Sequence, residues 1–376
     1  DYLGSSPDRG STVSEPGSLS RAQSPKANCL EVDRPLLTTS GLSEKVLNTL
    51  LQSRKPSTNR AYSRVVKTFQ KWCFVQKVNA DKPSVNEILE FLQQGLDKGL
   101  SLNTLKVQIS AISAYLSSQL SADPLIQRFL KAAQRIRPPV LNPVPQWDLN
   151  IVLEQLCEPP FEPLKEIDLK YLSLKTAFLT AITSASRVSE IQALAFKEPY
   201  LQFFPDQVVL RTLPDFSPKV ASKVNINQEI RLPSFCPNPS TEEELRYHSL
   251  DVCRALKRYL LQTESFRKSE NLFVVFSGKN KGLTASKLTL SRWLKDTIQT
   301  CYIAAKLSPP IFIKAHSTRA TSTSWAERLL VPPNQICKAA TWSSLHTFSK
   351  HYRLDIDALQ ETAFGRAILQ SVYQKK

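Results

Sequence analysis

His316-Ser317-Thr318-Arg319, followed by Trp342 and then Tyr352, is the stretch on which this chain turns. The chain has four histidines, and His316, His346 and His351 all fall in this region. A His and an Arg three residues apart share a helix face, so the two can grip one phosphate while a downstream tyrosine attacks it. Taken alone, such a pair reads as decoration of a helix, with Tyr352 in a core. The rest of the chain changes that reading.

The chain has 376 residues, enough for two or three domains, and its 41% hydrophobic content suffices for real cores. No run approaches the roughly 18 apolar residues of a membrane span. Residues 1–40 contain no apolar signal-peptide core. The chain begins with Asp and contains no Met, so it reads as a fragment whose true N-terminus is missing. Lys and Arg number 49 against 33 acids, a net charge of +16. Such a surplus suits a polyanion, because each neutralised phosphate releases a counterion. The seven cysteines are scattered, with no CxxC and no Cys/His cluster, so neither a disulfide framework nor a zinc site is expected. Reduced thiols in an intracellular compartment are the simple reading. No glycine-rich phosphate loop exists; Gly278-Lys279-Asn280-Lys281-Gly282 reads as a turn between strand and helix. No cofactor and no metal is expected.

Residues 1–40, rich in Ser, Pro and Gly, read as a disordered tail. Helical periodicity begins at Gly41. Leu47, Leu50 and Leu51 start one stripe, and Tyr62, Val65, Val66, Phe69, Trp72 and Cys73 form a second. Ser84-Val85-Asn86-Glu87 is a capping box for a third helix, Ser101 precedes a fourth, and Asp123-Pro124 opens a fifth. These make a small all-α domain over about 41–137. Its basic residues are dense, and Arg60, Arg64, Lys67, Lys106, Lys131 and Arg135 are candidates for a phosphate-facing surface. Four prolines in residues 138–145 exclude helix and predict an extended linker.

A second domain follows over 146–376. It opens with helices at 148–157 and 168–184, and Arg187 starts a short helix. Val208-Val209-Leu210 and Glu229-Ile230-Arg231-Leu232 read as strands flanking a basic loop, and Leu272-Phe273-Val274-Val275-Phe276 as a buried strand or its near equivalent. Helices are expected at 248–262 and 286–303, and again to the end. The fold class is mainly α: a helical domain, then an α-rich domain with a small antiparallel sheet.

Breaking a phosphodiester without a metal requires planar cations around the non-bridging oxygens, an activated nucleophile and an acid for the leaving oxygen. A tyrosine with pKa near ~10 is mostly protonated at neutral pH and needs a nearby base. The chain supplies such a set in order: Arg187, Lys219, His316, Arg319, Trp342 or His346, and Tyr352.

That order resembles the signature of the tyrosine recombinases, the phage integrase-like family. Thr183-Ser184-Ala185-Ser186-Arg187-Val188-Ser189-Glu190-Ile191 is similar to the family's first-arginine box, and Ala340-Thr341-Trp342 to its His-or-Trp position. More narrowly, the chain resembles recombinases of DIRS-type retrotransposons. The likeness lies in Leu102-Asn103-Thr104-Leu105-Lys106, Asp123 to Pro139, Pro160-Phe161-Glu162-Pro163-Leu164, His316 to Ala326 and Ala339 to Ser344. Ala320 departs from the glycine expected in close relatives.

The resemblance implies a SAM-like helical core-binding domain and a catalytic domain clasping opposite faces of duplex DNA, with a homotetramer assembled on the DNA. It implies that Arg187 and Arg319 hold the scissile phosphate, His316 assists proton transfer, and Trp342 hydrogen-bonds the phosphate. Tyr352 then forms a 3′-phosphotyrosyl link, whose ester conserves the bond energy without ATP. The family places its lysine in a β-hairpin turn; Lys219 suits that spacing better than Lys223. Glu190 is expected to buttress its helix or an arginine. A terminal amphipathic helix through Phe364, Ile368 and Val372 docks either on a neighbouring subunit or on its own domain. The implied task, integration of a mobile element into chromosomal DNA, places the protein in the nucleus. The rival expectations are a DNA-binding relic without catalysis and a type IB topoisomerase-like nicking-closing enzyme.

Overall fold

The computed structural model describes residues 41–138, 144–218 and 229–356. The tail, most of the proline linker, both candidate lysines and the terminal amphipathic helix lie outside the described residues. The chain divides into two compact units, 1–141 and 142–376.

The first unit is helical: α1 (Glu44–Leu51), α2 (Pro56–Gln76), α3 (Val85–Asp97), α4 (Leu102–Leu116), a short 3₁₀ turn (Leu120–Ala122) and α5 (Pro124–Ile136). The three caps read from the sequence are present. Ser84 and Glu87 form a reciprocal capping box on α3, Ser101 accepts from the Thr104 N–H, and Asp123 caps α5 with Pro124 in the first turn. The apolar faces meet around Phe69, Phe91, Leu92, Leu105, Ile109 and Ile126. Phe69 and Phe91 pack edge to face at 5.1 Å.

In the second unit, α6 (Leu149–Gln155), α7 (Leu169–Ser184) and α8 (Val188–Ala193) precede the sheet, whose strands are β1 (Leu201–Phe203), β2 (Gln207–Leu210) and β3 (Ile230–Pro233). The sheet is antiparallel in the order β1-β2-β3, with Phe203 opposite Val208 and Val208 opposite Leu232. Beyond it lie α9 (Glu242–His248), α10 (Val252–Thr263), α11 (Lys287–Ala304), α12 (Ser317–Arg328), α13 (Pro333–Ala339) and α14 (Leu345–His351). Helix α7 is buried on almost every side and packs against α10 and α11, so the core forms around it.

Three expectations need adjustment. β1 adds a strand that the sequence does not announce, because three residues are too few to show a period of two. Leu272–Phe276 is largely buried, yet among the described residues it makes only one isolated bridge, Val274 with Thr284, beside a second at the preceding residue, Asn271 with Ala195. The helix expected at 248–262 begins at Val252, because the Asp251 carboxylate accepts from the Cys253 and Arg254 N–H groups and caps it there. The 278–282 turn is present, with Gly278 and Gly282 at positive φ.

Candidate active site

The site is assembled from helix ends. Arg187 is the N-cap residue of α8, His316 the N-cap of α12 with Arg319 one turn in, and Tyr352 the C-cap of α14. Beneath them lies a satellite apolar cluster, separate from the main core, of Ala185, Ile336, Ala340, Trp342 and Phe348.

Arg319 is 0% exposed. Its Nη1 donates to the Ala185 carbonyl at 2.6 Å and its Nη2 to the Ala340 carbonyl. Its guanidinium lies 4.9 Å from the Trp342 ring centre and 5.4 Å from that of Tyr352. Burial pushes Arg319 down to about 10, the neighbouring Arg187 charge pushes the same way, and Glu190 opposes both. It remains a cation at neutral pH. The rings of Trp342 and Tyr352 lie against it.

Arg187 is held from two sides. Its Nη1 donates to Glu190 Oε1 at 2.7 Å and to Thr341 Oγ1 at 3.1 Å, while its main-chain N–H donates to Glu190 Oε2 at 2.7 Å. Glu190 Oε2 also faces Arg319 Nη1 at 3.8 Å. One buried carboxylate therefore stands between two guanidiniums that would otherwise repel.

The structure brings Arg187, Glu190, His316, Arg319, Trp342 and Tyr352 together. His316 Nε2 is 3.2 Å from the Tyr352 hydroxyl. With Nε2 unprotonated, the imidazole accepts the phenolic proton. Trp342 packs against Tyr352 with ring centres 4.7 Å apart and planes tilted by 39°. The Trp342 indole Nε1 and Arg319 Nε are buried without a hydrogen-bond partner among the described residues; buried donors left this way are costly unless a further acceptor arrives. Of the pair Trp342 or His346, Trp342 is buried beside Tyr352, while His346 and His351 are exposed on α14. The six basic candidates of the first unit are exposed; Arg60, Arg64 and Lys67 recur at i, i+4 and i+7 on one face of α2.

Sequence reasoning missed several supports. Ser324 on α12 donates its hydroxyl to the Tyr352 carbonyl and accepts from the Leu354 N–H at 2.8 Å, which fixes the backbone carrying the tyrosine. Arg353 pairs with Glu327 at 2.9 Å across the same junction. Trp147 Nε1 donates to Ser317 Oγ at 2.8 Å and pins the first turn of α12. Thr341 and the Ala185 and Ala340 carbonyls carry no sequence mark of their role. Among the described residues no cluster of His, Cys, Asp and Glu is placed to hold a metal ion.

Residues 45–121 match the family described as phage integrase, N-terminal SAM-like domain. No curated protein matches the chain in sequence. Among solved structures, the Tn1549 transposon integrase in complex with transposon right end DNA is 12% identical, with 92% of this chain and 99% of that one covered and a TM-score of 0.54. The XerH site-specific recombinase bound to palindromic difH substrate is 16% identical over 95% of this chain and 92% of that one, also at a TM-score of 0.54. At such identities the likeness is one of fold. A SAM-like domain of the phage integrase type over 45–121, followed by a helical unit with a small antiparallel sheet, gives this protein the tyrosine recombinase fold.

Proposed function

We propose that this protein breaks and rejoins DNA strands through a 3′-phosphotyrosyl intermediate formed on Tyr352. The observation that carries the reading is the 3.2 Å contact between the Tyr352 hydroxyl and His316 Nε2, in a site that also holds two arginines. In the step, the Tyr352 oxygen bonds to phosphorus as the bond to the 5′-oxygen breaks. The phenolic proton passes to His316, and the departing 5′-oxygen takes up a proton from an acid, for which Lys219, ahead of Lys223, is our candidate. Arg187 and Arg319 supply the fixed positive charge that a five-coordinate phosphorane requires. Trp342 Nε1 and Arg319 Nε, without a partner among the described residues, are donors suited to its oxygens. Rejoining reverses the step with the hydroxyl of another strand, so no external energy source is consumed.

The partner is duplex DNA, which suits the charge of +16 and the exposed basic face of α2. We further propose that the protein acts as a tetramer that integrates a mobile element of DIRS type into chromosomal DNA, which places it in the nucleus. This part rests on the sequence resemblance.

The test is a nicked duplex carrying the element's terminal sequence, mixed without metal with wild type and with Tyr352→Phe, and resolved on a denaturing gel. A covalent protein–DNA band from wild type alone supports the reading. Binding without a band from either protein, over several sites, overturns it in favour of a DNA-binding relic. A covalent band from a protein that stays monomeric on DNA favours a nicking-closing enzyme.

A further inference from the structure

Helix α13 ends in a motif that normally asks for glycine. The Trp342 N–H donates to the Cys337 carbonyl at 2.8 Å and the Thr341 N–H to the Lys338 carbonyl at 3.1 Å, the paired bonds of a Schellman stop. Trp342, just past the stop, shares the satellite apolar cluster with Ile336 and Cys337, as such a stop favours. The residue between, Thr341, has φ +54. In that left-handed region glycine is at ease, asparagine is tolerated, and a β-branched residue is an outlier. Strain of this kind persists where surrounding structure holds it, and it gathers at functional sites.

What the threonine supplies is visible in its contacts. Its Oγ1 accepts from Arg187 Nη1 at 3.1 Å, and the carbonyl of the preceding Ala340 accepts from Arg319 Nη2. One strained dipeptide thus hands an acceptor to each active-site arginine. Glycine at 341 would preserve the helix stop and remove the hydroxyl. Valine would keep the branched shape and the strain, also without the hydroxyl. Serine would keep the hydroxyl with less strain.

We infer that Thr341 is a positioning residue: its hydroxyl, held in place by a left-handed backbone that disfavours threonine, sets the Arg187 guanidinium for phosphate. The inference rests on the function proposed above.

The experiment compares wild type with Thr341→Gly, Thr341→Val and Thr341→Ser in three readouts: melting temperature, single-turnover covalent-complex formation at saturating nicked duplex, and affinity for inorganic tungstate as a tetrahedral oxyanion probe. Thr341→Gly should melt about 2–4 °C higher as strain is relieved. It should nonetheless form the covalent complex roughly tenfold more slowly, because a hydrogen bond to a charged group is lost. Thr341→Val should slow equally without the gain in melting temperature, and Thr341→Ser should stay within about threefold of wild type. Duplex affinity should be unchanged throughout, while tungstate affinity falls in the glycine and valine variants and holds in the serine variant. A purely structural threonine would instead show rates that follow melting temperature, so a glycine variant as fast as wild type overturns the inference. If wild type forms no covalent complex but tungstate binding follows the hydroxyl, strand cleavage fails and the positioning role stands. If wild type neither cleaves nor binds tungstate, both fail.

Discussion

His316 Nε2 and the Tyr352 hydroxyl lie 3.2 Å apart although they come from the start of α12 and the end of α14, and their ring planes are tilted by 51°. In the function proposed above His316 is the general base for strand cleavage, and a general base at hydrogen-bond distance contributes about 10²–10⁴-fold. His316→Asn should therefore slow single-turnover cleavage by that order, and Tyr352→Phe should abolish the covalent complex. His346→Asn serves as the control, because His346 is exposed on α14; its rate should match wild type. Quench-flow on the nicked duplex measures all three, and a His316→Asn rate equal to wild type would remove the imidazole from the mechanism.

Glu190 decides whether two guanidiniums can share one site. It accepts from the side chain and main chain of Arg187 and stands 3.8 Å from Arg319. Removing one partner of a buried ion pair costs about 3–5 kcal/mol, because the remaining charge is left uncompensated. Glu190→Ala should lose stability on that scale in urea unfolding and lose cleavage with it. Glu190→Gln keeps an acceptor for the Arg187 N–H and should lose about half as much. Equal losses in the two variants would show that packing, not charge, is what Glu190 contributes.

The first unit was largely legible because its punctuation is chemical. Ser84 with Glu87 and Asp123 with Pro124 stop and start helices by hydrogen bonds that the residue types themselves dictate. In the second unit, Arg187, Glu190, His316, Arg319, Trp342 and Tyr352, picked out by their order and by the resemblance, lie beside one another. The unit was opaque where tertiary contacts overrule local preference. Nothing in Ala339-Ala340-Thr341 marks a helix stop, since the usual glycine is missing and the left-handed φ belongs to a threonine. Lys175 looks like a solvated lysine on a helix, yet it is 0% exposed. Its partners lie 13 to 19 residues earlier in the chain, too far for any helical periodicity to reveal.

The network around Lys175 gives a prediction of its own. Nζ donates to the Leu156 carbonyl at 2.8 Å, the Phe161 carbonyl at 3.3 Å and Glu162 Oε1 at 2.5 Å, and Arg254 grips Glu162 with bonds of 2.7 and 3.0 Å. These contacts moor the 156–164 segment to α7, whose far end leads into Arg187. Burial alone would raise the Glu162 carboxyl, but the Arg254 hydrogen bonds and the Lys175 charge outweigh it and leave it below its ordinary 4.5. A depressed carboxyl contributes stability above its unfolded pKa and loses it as pH falls through the folded value. Lys175→Met should therefore be less stable than wild type by about 3 kcal/mol at neutral pH. The gap should narrow below 4.5 as Glu162 takes up its proton. Urea titrations across the acid range measure this, and a gap independent of pH would mean that Lys175 contributes by its carbonyl contacts alone.

The opposite sign governs the alkaline side. Burial raises the Cys253 and Cys301 thiols from 9.0 to about 12, with the Asp251 charge adding to the shift at Cys253, and it raises the Tyr259 phenol from 10.0 to about 12. All three stay neutral in the fold at pH values where the unfolded chain would ionise them. Stability from this source is complete below 9.0 and is lost as pH rises from there through about 12. Melting temperature should accordingly fall from about pH 9 upward in wild type, in step with proton release on unfolding. Cys301→Ala leaves a small cavity, so it should melt lower at neutral pH. Its curve should then run flatter than wild type above 9.0, because one of the three groups no longer titrates. Melting curves of the two proteins from about pH 8 to about pH 11 test this, and curves that stay parallel throughout would show that the Cys301 thiol ionises as readily in the fold as in the unfolded chain.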